Sequence, residues 1–131
     1  MNIFVCVDKS RGMMFNNRRQ SRDQAVIEKI IELSLDSRLL MSEYSATMFP
    51  QNQNIIVDNG FSLQAKEGDF CFVEDTGLPA EQVEKVFIFN WNRDYPADKY
   101  FDFDLTCFKR VKKTEFVGSS HKKITLEVYS R

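Results

Sequence analysis

Residues Asn2–Val7, NIFVCV, are apolar without alternation from Ile3 onward, and the run stops at Asp8. A strand with one face in water alternates apolar and polar side chains, so an unbroken run marks a strand buried on both faces. Burial on both faces requires a layer of chain on each side of a sheet, which restricts the fold to the layered α/β architectures. The covering layer is legible further on. Val26, Ile27, Ile30, Ile31 and Leu33 recur at helical spacing, which predicts a helix over Ser21–Ser34 with one apolar face. Ser21 followed by Gln24 reads as a capping box at its start.

Shorter elements follow. Arg38 to Met41 and Asn54 to Val57 read as strands, with a short helix over Glu43–Phe49 between them, closed by Pro50. Asp69 to Val73 is a further strand, ended by a turn at Asp75-Thr76-Gly77. Pro79 to Glu84 fits one helical turn with proline near its start, and Lys85 to Trp91 is strongly strand-like. Phe108 to Phe116 and Ile124 to Tyr129 alternate around Gly118-Ser119-Ser120, the pattern of an antiparallel hairpin. Asp8 to Gly12 reads as a loop. No repeat, linker or low-complexity stretch interrupts the chain. The expectation is a single compact domain over residues 1–131: a mixed, mainly parallel sheet with a C-terminal antiparallel hairpin and one long helix.

Charge and cysteine content exclude several functions. A net charge of -1 gives no global attraction to nucleic acid or anionic lipid. No apolar stretch reaches the twenty or so residues that span a bilayer. The opening MNIFVCVDKS lacks a basic n-region, so no signal peptide is expected. Cys6, Cys71 and Cys107 are isolated and odd in number, which fits reduced thiols and a cytoplasmic location better than a disulfide or zinc framework. The twelve phenylalanines fall mostly in strand-like runs and read as core.

The stretch GMMFNNRRQSRD, residues 12 to 23, carries the densest chemistry. In one reading it is a capped helix start: Ser21 caps, Asp23 favours the positive helix end, and the arginines are solvated. In the other, Arg18, Arg19 and Arg22 converge with free helix N–H groups into an anion site, with Ser21 and Asp23 beside them. Three guanidinium groups oppose the helix dipole, which calls for something negative nearby: a ligand, a partner, or an acidic loop of the same chain. Other candidates are blander. His121 lacks an evident acid–base partner and reads as a solvated turn residue. Lys109, Arg110, Lys112 and Lys113 read as the solvent side of an edge strand, without the clustered aromatics of a nucleic-acid surface. Asp98, Asp102 and Asp104 lack a glycine-spaced calcium loop, and no metal is expected. Trp91, Tyr95 and Tyr100 read as packing around a turn.

Ala97-Asp98-Lys99-Tyr100-Phe101, the acidic Asp102-Phe103-Asp104, Phe108, Thr114-Glu115-Phe116 and Ile124-Thr125-Leu126-Glu127-Val128-Tyr129 together resemble the end of dihydrofolate reductases. The first strand, the Gly-Met loop, an Asp beginning a helix and the N-I-I-x strand occur in that family's order. The resemblance implies a dihydrofolate reductase-like α/β fold, with Asp23 in the place of the family's pocket acid. It also marks departures. The family's G-R-x-T cofactor motif aligns with Met41-Ser42-Glu43-Tyr44-Ser45, which puts a carboxylate where a cation meets phosphate. The Gly-Gly turn that opens a pyrophosphate-facing helix has no counterpart in EDTGLPAEQ, and the usual Pro-Trp before the acid is Arg18-Arg19-Gln20-Ser21. No cofactor is therefore expected, NADPH included. The sequence reading is a non-reducing relative whose retained cleft takes a small anionic or heterocyclic ligand. The alternatives are a protein-binding module, such as a regulator or immunity-type inhibitor, and an NADPH-dependent reductase with an altered cofactor mode. Neither a nucleic-acid nor a membrane partner is expected.

Overall fold

The computed structural model describes residues 1–75 and 78–131. Thr76 and Gly77, most of the expected turn after Asp75, lie outside them. Among the described residues the strands form two sheets. The larger contains β1 (Asn2–Val7), β4 (Leu39–Met41), β5 (Ile55–Val57), β6 (Phe70–Phe72), β7 (Lys85–Asn90), β9 (Lys109–Phe116) and β10 (Ile124–Ser130), in the order β5-β4-β6-β1-β7-β10-β9. From β5 to β7 all neighbours are parallel; β10 then runs antiparallel to both β7 and β9. The first strand is thus interior, as its unbroken apolar run requires, and the last two strands pair as expected.

Alternation along β1 supplies both core layers. Phe4 points to the face that packs on α1 (Gln24–Leu33), among Val26, Ile27 and Ile30. Ile3, Val5 and Val7 point to the other face, where Leu40, Cys71 and Ile88 join them. Phenylalanine fills much of the first layer: Phe4 lies 5.1 Å from Phe70 and 5.0 Å from Phe87, centroid to centroid. The second layer is closed largely by loop rather than helix, with Phe101 stacked on Phe103 at 5.9 Å and Phe103 edge-on to Phe108 at 5.7 Å.

The segment that read as loop and helix start is differently built. Gly12–Phe15 form β2 and Arg18–Arg19 form β3, a hairpin that β8 (Lys99–Tyr100) extends to a three-stranded sheet. Asn16 and Asn17 turn it with φ of 51° and 59°, the left-handed pair of a two-residue hairpin turn. Asp98 accepts from the Asn16 N–H at 3.0 Å and ties that turn to the chain before β8. Arg18 and Arg19 therefore lie on a strand, not on the helix.

The helix begins later than expected. Asp23, in extended conformation, caps it by accepting from the Ala25 N–H at 2.9 Å, so the Ser21–Gln24 capping box does not form. A carboxylate at this position accepts from the helix and from a distant loop at once, which outcompetes a serine hydroxyl two residues upstream. Two shorter helices, α2 (Glu43–Ala46) and α3 (Phe61–Gln64), and a 3-10 turn at Ala80–Gln82 preceded by Pro79, complete the described elements. No described helix is long and apolar enough to cross a membrane.

Candidate functional site

Beyond the C-terminal end of β1 the sheet opens into a cleft between α1, the β2–β3 hairpin and the chain after β6. Arg19, Gln20, Ser21, Arg22, Asp23 and Glu74 form its polar side, with Cys6 at the floor. Val26, Ile27, Met48 and Trp91 form its apolar side. The cleft is narrow: the space it leaves for a water-sized molecule is about 20 Å³, room for one water and little more.

Four of the five expected site residues, Arg19, Ser21, Arg22 and Asp23, border this cleft. Arg18 does not; it lines a separate surface recess with Phe15, Tyr95 and Pro96. The three arginines differ in commitment. Arg19 grips Glu74 with two hydrogen bonds, at 2.8 Å and 3.0 Å, and lies 4.2 Å from the centre of the Tyr44 ring. The Tyr44 hydroxyl accepts from the Arg19 N–H at 3.0 Å, and the buried Ser45 hydroxyl donates to Glu74 at 2.8 Å. The negative partner that the arginine cluster demanded is, for Arg19, an acid of the same chain. Arg18 and Arg22 make no ion pair among the described residues.

Asp23 is 2% exposed, and both its carboxylate oxygens are occupied. Oδ1 accepts from the backbone N–H groups of Ala25 and Ser119, at 2.9 Å and 2.8 Å. Oδ2 accepts from the Ser120 N–H at 2.8 Å and from His121 Nδ1 at 2.9 Å. Burial pushes the carboxyl's pKa up, but hydrogen bonds from Ser119, Ser120, His121 and Ala25 outweigh it and hold the group below the usual carboxylate range. An ionised carboxylate only accepts, so His121 Nδ1 carries the hydrogen. In the neutral ring Nε2 is then the acceptor. It faces two hydroxyls, Ser21 Oγ at 3.1 Å and the Tyr95 hydroxyl at 3.1 Å.

His121 corrects the sequence reading. It is 5% exposed rather than solvated, and its ring stacks on Trp91 at 4.6 Å with 19° between planes. Its acid–base partner was present in the sequence but 98 residues away. The signal was available only in retrospect: the single histidine follows Gly118-Ser119-Ser120, and a close approach needs that glycine. A Cβ on Gly118 would stand 2.5 Å from Asp23 Oδ2 and 2.9 Å from the His121 carbonyl oxygen.

Two further groups border the cleft. The Cys6 thiol is kept protonated, its pKa pushed well above the ordinary range by burial and then by the Glu74 charge. Gln20 Nε2 donates to the buried Asp8 carboxylate at 2.9 Å, which fixes the amide orientation and leaves Oε1 buried with no hydrogen bond among the described residues.

A wider groove of about 410 Å³ lies alongside, between the hairpin, α2 and α3. Its helix start is already capped. Ser42 Oγ accepts from the Ser45 N–H at 3.2 Å, and Asn59 Oδ1 accepts from the Glu43 N–H at 3.0 Å. Glu74 and Asp75 line it, and its one lysine, Lys99, pairs with Asp75 at 3.0 Å. No three His, Cys, Asp or Glu side chains among the described residues are grouped to hold a metal ion.

This arrangement of strands can be matched to known structures. A dihydrofolate reductase from Enterococcus faecalis, complexed with NADP(H) and RAB-propyl, superposes with a TM-score of 0.67 over 99% of this chain and 95% of that one. The chain has a dihydrofolate reductase-like fold. Identity to that reductase is 9%, so the likeness is one of fold. No protein-family model matches the chain, and the search of curated proteins gave no match. Relative to the reductase-like expectation, Asp23 does open α1 beside the cleft. Its carboxylate is held by the Ser119–His121 loop instead of being left bare toward a ligand.

Proposed function

We propose that this protein binds a small ligand in the Ser21–Asp23 cleft and does not use a nicotinamide dinucleotide for reduction. The observation that carries this reading is the contrast between two neighbouring recesses. Groups uncommitted among the described residues border the narrower cleft: Gln20 carries a buried acceptor, Oε1, without a donor, Arg22 is a cation without a counter-ion, and Trp91, Val26 and Ile27 offer an apolar wall. A small planar or heterocyclic molecule with one hydrogen-bond donor and one anionic group would satisfy all three once the side chains lining the narrow cleft move apart to admit it.

The wider groove, where a reductase would be expected to hold its dinucleotide phosphates, offers side-chain hydroxyls, amides and a single lysine already paired with Asp75. The N–H groups of Glu43 and Ser45 are taken by Asn59 and Ser42, and two carboxylates line the space. A phosphate there would meet repulsion instead of the free N–H groups and cations that favour anions at helix starts. NADPH should therefore bind no tighter than about 1 mM, roughly -4 kcal/mol.

Calorimetry and thermal-shift screening against NADPH, pterins, nucleosides and small aromatic carboxylates test both halves. The expected result is a stabilising small molecule whose affinity falls at least tenfold, about 1.4 kcal/mol, in Arg22→Ala and is unchanged in Arg18→Ala. Micromolar NADPH affinity, or NADPH oxidation in the presence of dihydrofolate, would overturn the reading. The alternative of a protein-binding module draws on a different observation: β9 is an edge strand exposed along nearly its whole length, with Val111 60% exposed. Silence across the small-molecule panel would favour it.

A further inference from the structure

Ser21, His121 and Asp23 form a chain of two hydrogen-bonding contacts. Ser21 Oγ is 3.1 Å from His121 Nε2, and His121 Nδ1 is 2.9 Å from Asp23 Oδ2. Both distances are within the reach required between a nucleophile and its base, and between that base and the group that orients it. The three are recruited from the chain before α1 and from the β9–β10 connection, so the arrangement belongs to the tertiary fold. Asp23 fixes the ring's tautomer, and Trp91 stacked on one face fixes its plane. Ser21 is only partly buried and borders the cleft.

We infer that this is a nucleophilic site, with Ser21 as the attacking hydroxyl, His121 as its general base and Asp23 as the residue that positions the imidazole. The inference rests on the cleft being a small-ligand site and names the chemistry of what it takes: a small ester or thioester with a short acyl group, since the whole cleft leaves only about 20 Å³ free. Ser21 Oγ would attack the acyl carbon while its proton passes to His121 Nε2. The carbon–oxygen or carbon–sulfur bond to the leaving group would then break, that group taking the proton from Nε2. Water, activated by the same nitrogen, would hydrolyse the seryl ester to a carboxylic acid and restore the hydroxyl.

Two features support this assignment over alternatives in the cleft. Cys6, the intrinsically stronger nucleophile, has no hydrogen bond to a base among the described residues. For the developing oxyanion, the backbone N–H of Arg22, the residue after the nucleophile, has no acceptor among the described residues, and Arg22 borders the cleft. The N–H following the nucleophile is a recurrent oxyanion donor in serine hydrolases, and a cation on the same residue acts in the same sense. The Tyr95 hydroxyl shares Nε2 with Ser21 and keeps that nitrogen hydrogen-bonded when the serine is acylated.

The experiment treats the full chain with a fluorophosphonate probe and, separately, with p-nitrophenyl acetate, followed by intact mass and peptide mapping. The expected result is a single adduct on Ser21, lost in Ser21→Ala. In His121→Gln, which can still donate to Asp23 but cannot take a proton, labelling should slow by about 100-fold or more. Ser21→Ala removes one partly exposed hydroxyl and should melt like the parent, so its result stands even if the glutamine variant misfolds. Absence of labelling while a serine hydrolase control reacts, or an unchanged rate in Ser21→Ala, would overturn the triad. The ligand screen is read separately: labelling at Ser21 without any stabilising heterocycle would correct the ligand, and a bound heterocycle without labelling would reject the chemistry.

Discussion

Replacing Asp23 by Asn isolates the group on which both the helix start and the candidate site depend. The amide oxygen can keep the Oδ1 role, accepting from Ala25 and Ser119, so the N-cap survives; Asn and Asp are near-equal caps. The amide NH₂ then faces the Ser120 N–H and the hydrogen on His121 Nδ1, both donors. Two hydrogen bonds to a charged acceptor are lost, at roughly 1.5–3 kcal/mol each. One is recovered in part if His121 moves its hydrogen to Nε2 and accepts at Nδ1. The net cost is about 2–4 kcal/mol, a large share of the 5–15 kcal/mol typical of a domain. Near a chain of this size it lowers Tm by roughly 8–16 °C. Urea unfolding followed by the fluorescence of Trp91, the chain's one tryptophan and the ring stacked on His121, reads it directly. The pH dependence carries a sign. Asp23's folded pKa is lowered, so its contribution is present above the unfolded value near 3.9 and is lost as pH falls below it. The gap between parent and variant should narrow from about pH 5 toward pH 2. A difference under about 0.5 kcal/mol at neutral pH, with an unchanged m-value, would refute the reasoning, since only a surface group costs so little.

Gly118→Ala should destabilise by roughly 1–3 kcal/mol and weaken the His121–Asp23 contact, because the added methyl meets the Asp23 carboxylate at 2.5 Å; Trp91 fluorescence and thermal melting report both. For the Arg19–Glu74 pair, whose side chains are 18% and 11% exposed, Arg19→Ala and Glu74→Ala should each cost about 2–4 kcal/mol. The double variant should cost at least 1 kcal/mol less than their sum, because removing one partner strands the other; strict additivity in urea midpoints would show the pair to be incidental.

Much of the fold was legible because its strongest signals are local. An unbroken NIFVCV cannot sit at a solvated edge, and the helical period of Val26, Ile27 and Ile30 cannot be a strand's. The alternating C-terminal strands also paired as read, and the lysines of β9 lie on the exposed edge where their pattern put them. The hairpin at Gly12–Arg19 was missed because β3 is two residues long and its turn is Asn-Asn, without the glycine that usually signals a left-handed pair. The helix start was misplaced because two cap-forming residues, Ser21 and Asp23, compete within three positions, and the winner is decided by a loop that local sequence cannot see. The same loop hid His121. Its burial follows from contacts made across most of the chain, so the cleft residues Arg19, Ser21, Arg22 and Asp23 were named without the imidazole that Ser21 and Asp23 contact.

That long reach has a kinetic meaning. The contact between His121 and Asp23 spans 98 residues, and β10, which follows His121 directly, must find β7 before the imidazole is delivered. Closing so long a loop is entropically costly and slow compared with forming α1 or the β2–β3 hairpin. During synthesis, at some 5–20 residues per second, the helix start with its buried acid is therefore made several seconds before its partner leaves the ribosome. Until then Asp23 is a bare cap and Ser21 an ordinary hydroxyl. The Ser21–His121–Asp23 contacts come into being only when β10 pairs with β7, so a partly folded chain would hold its core strands without them.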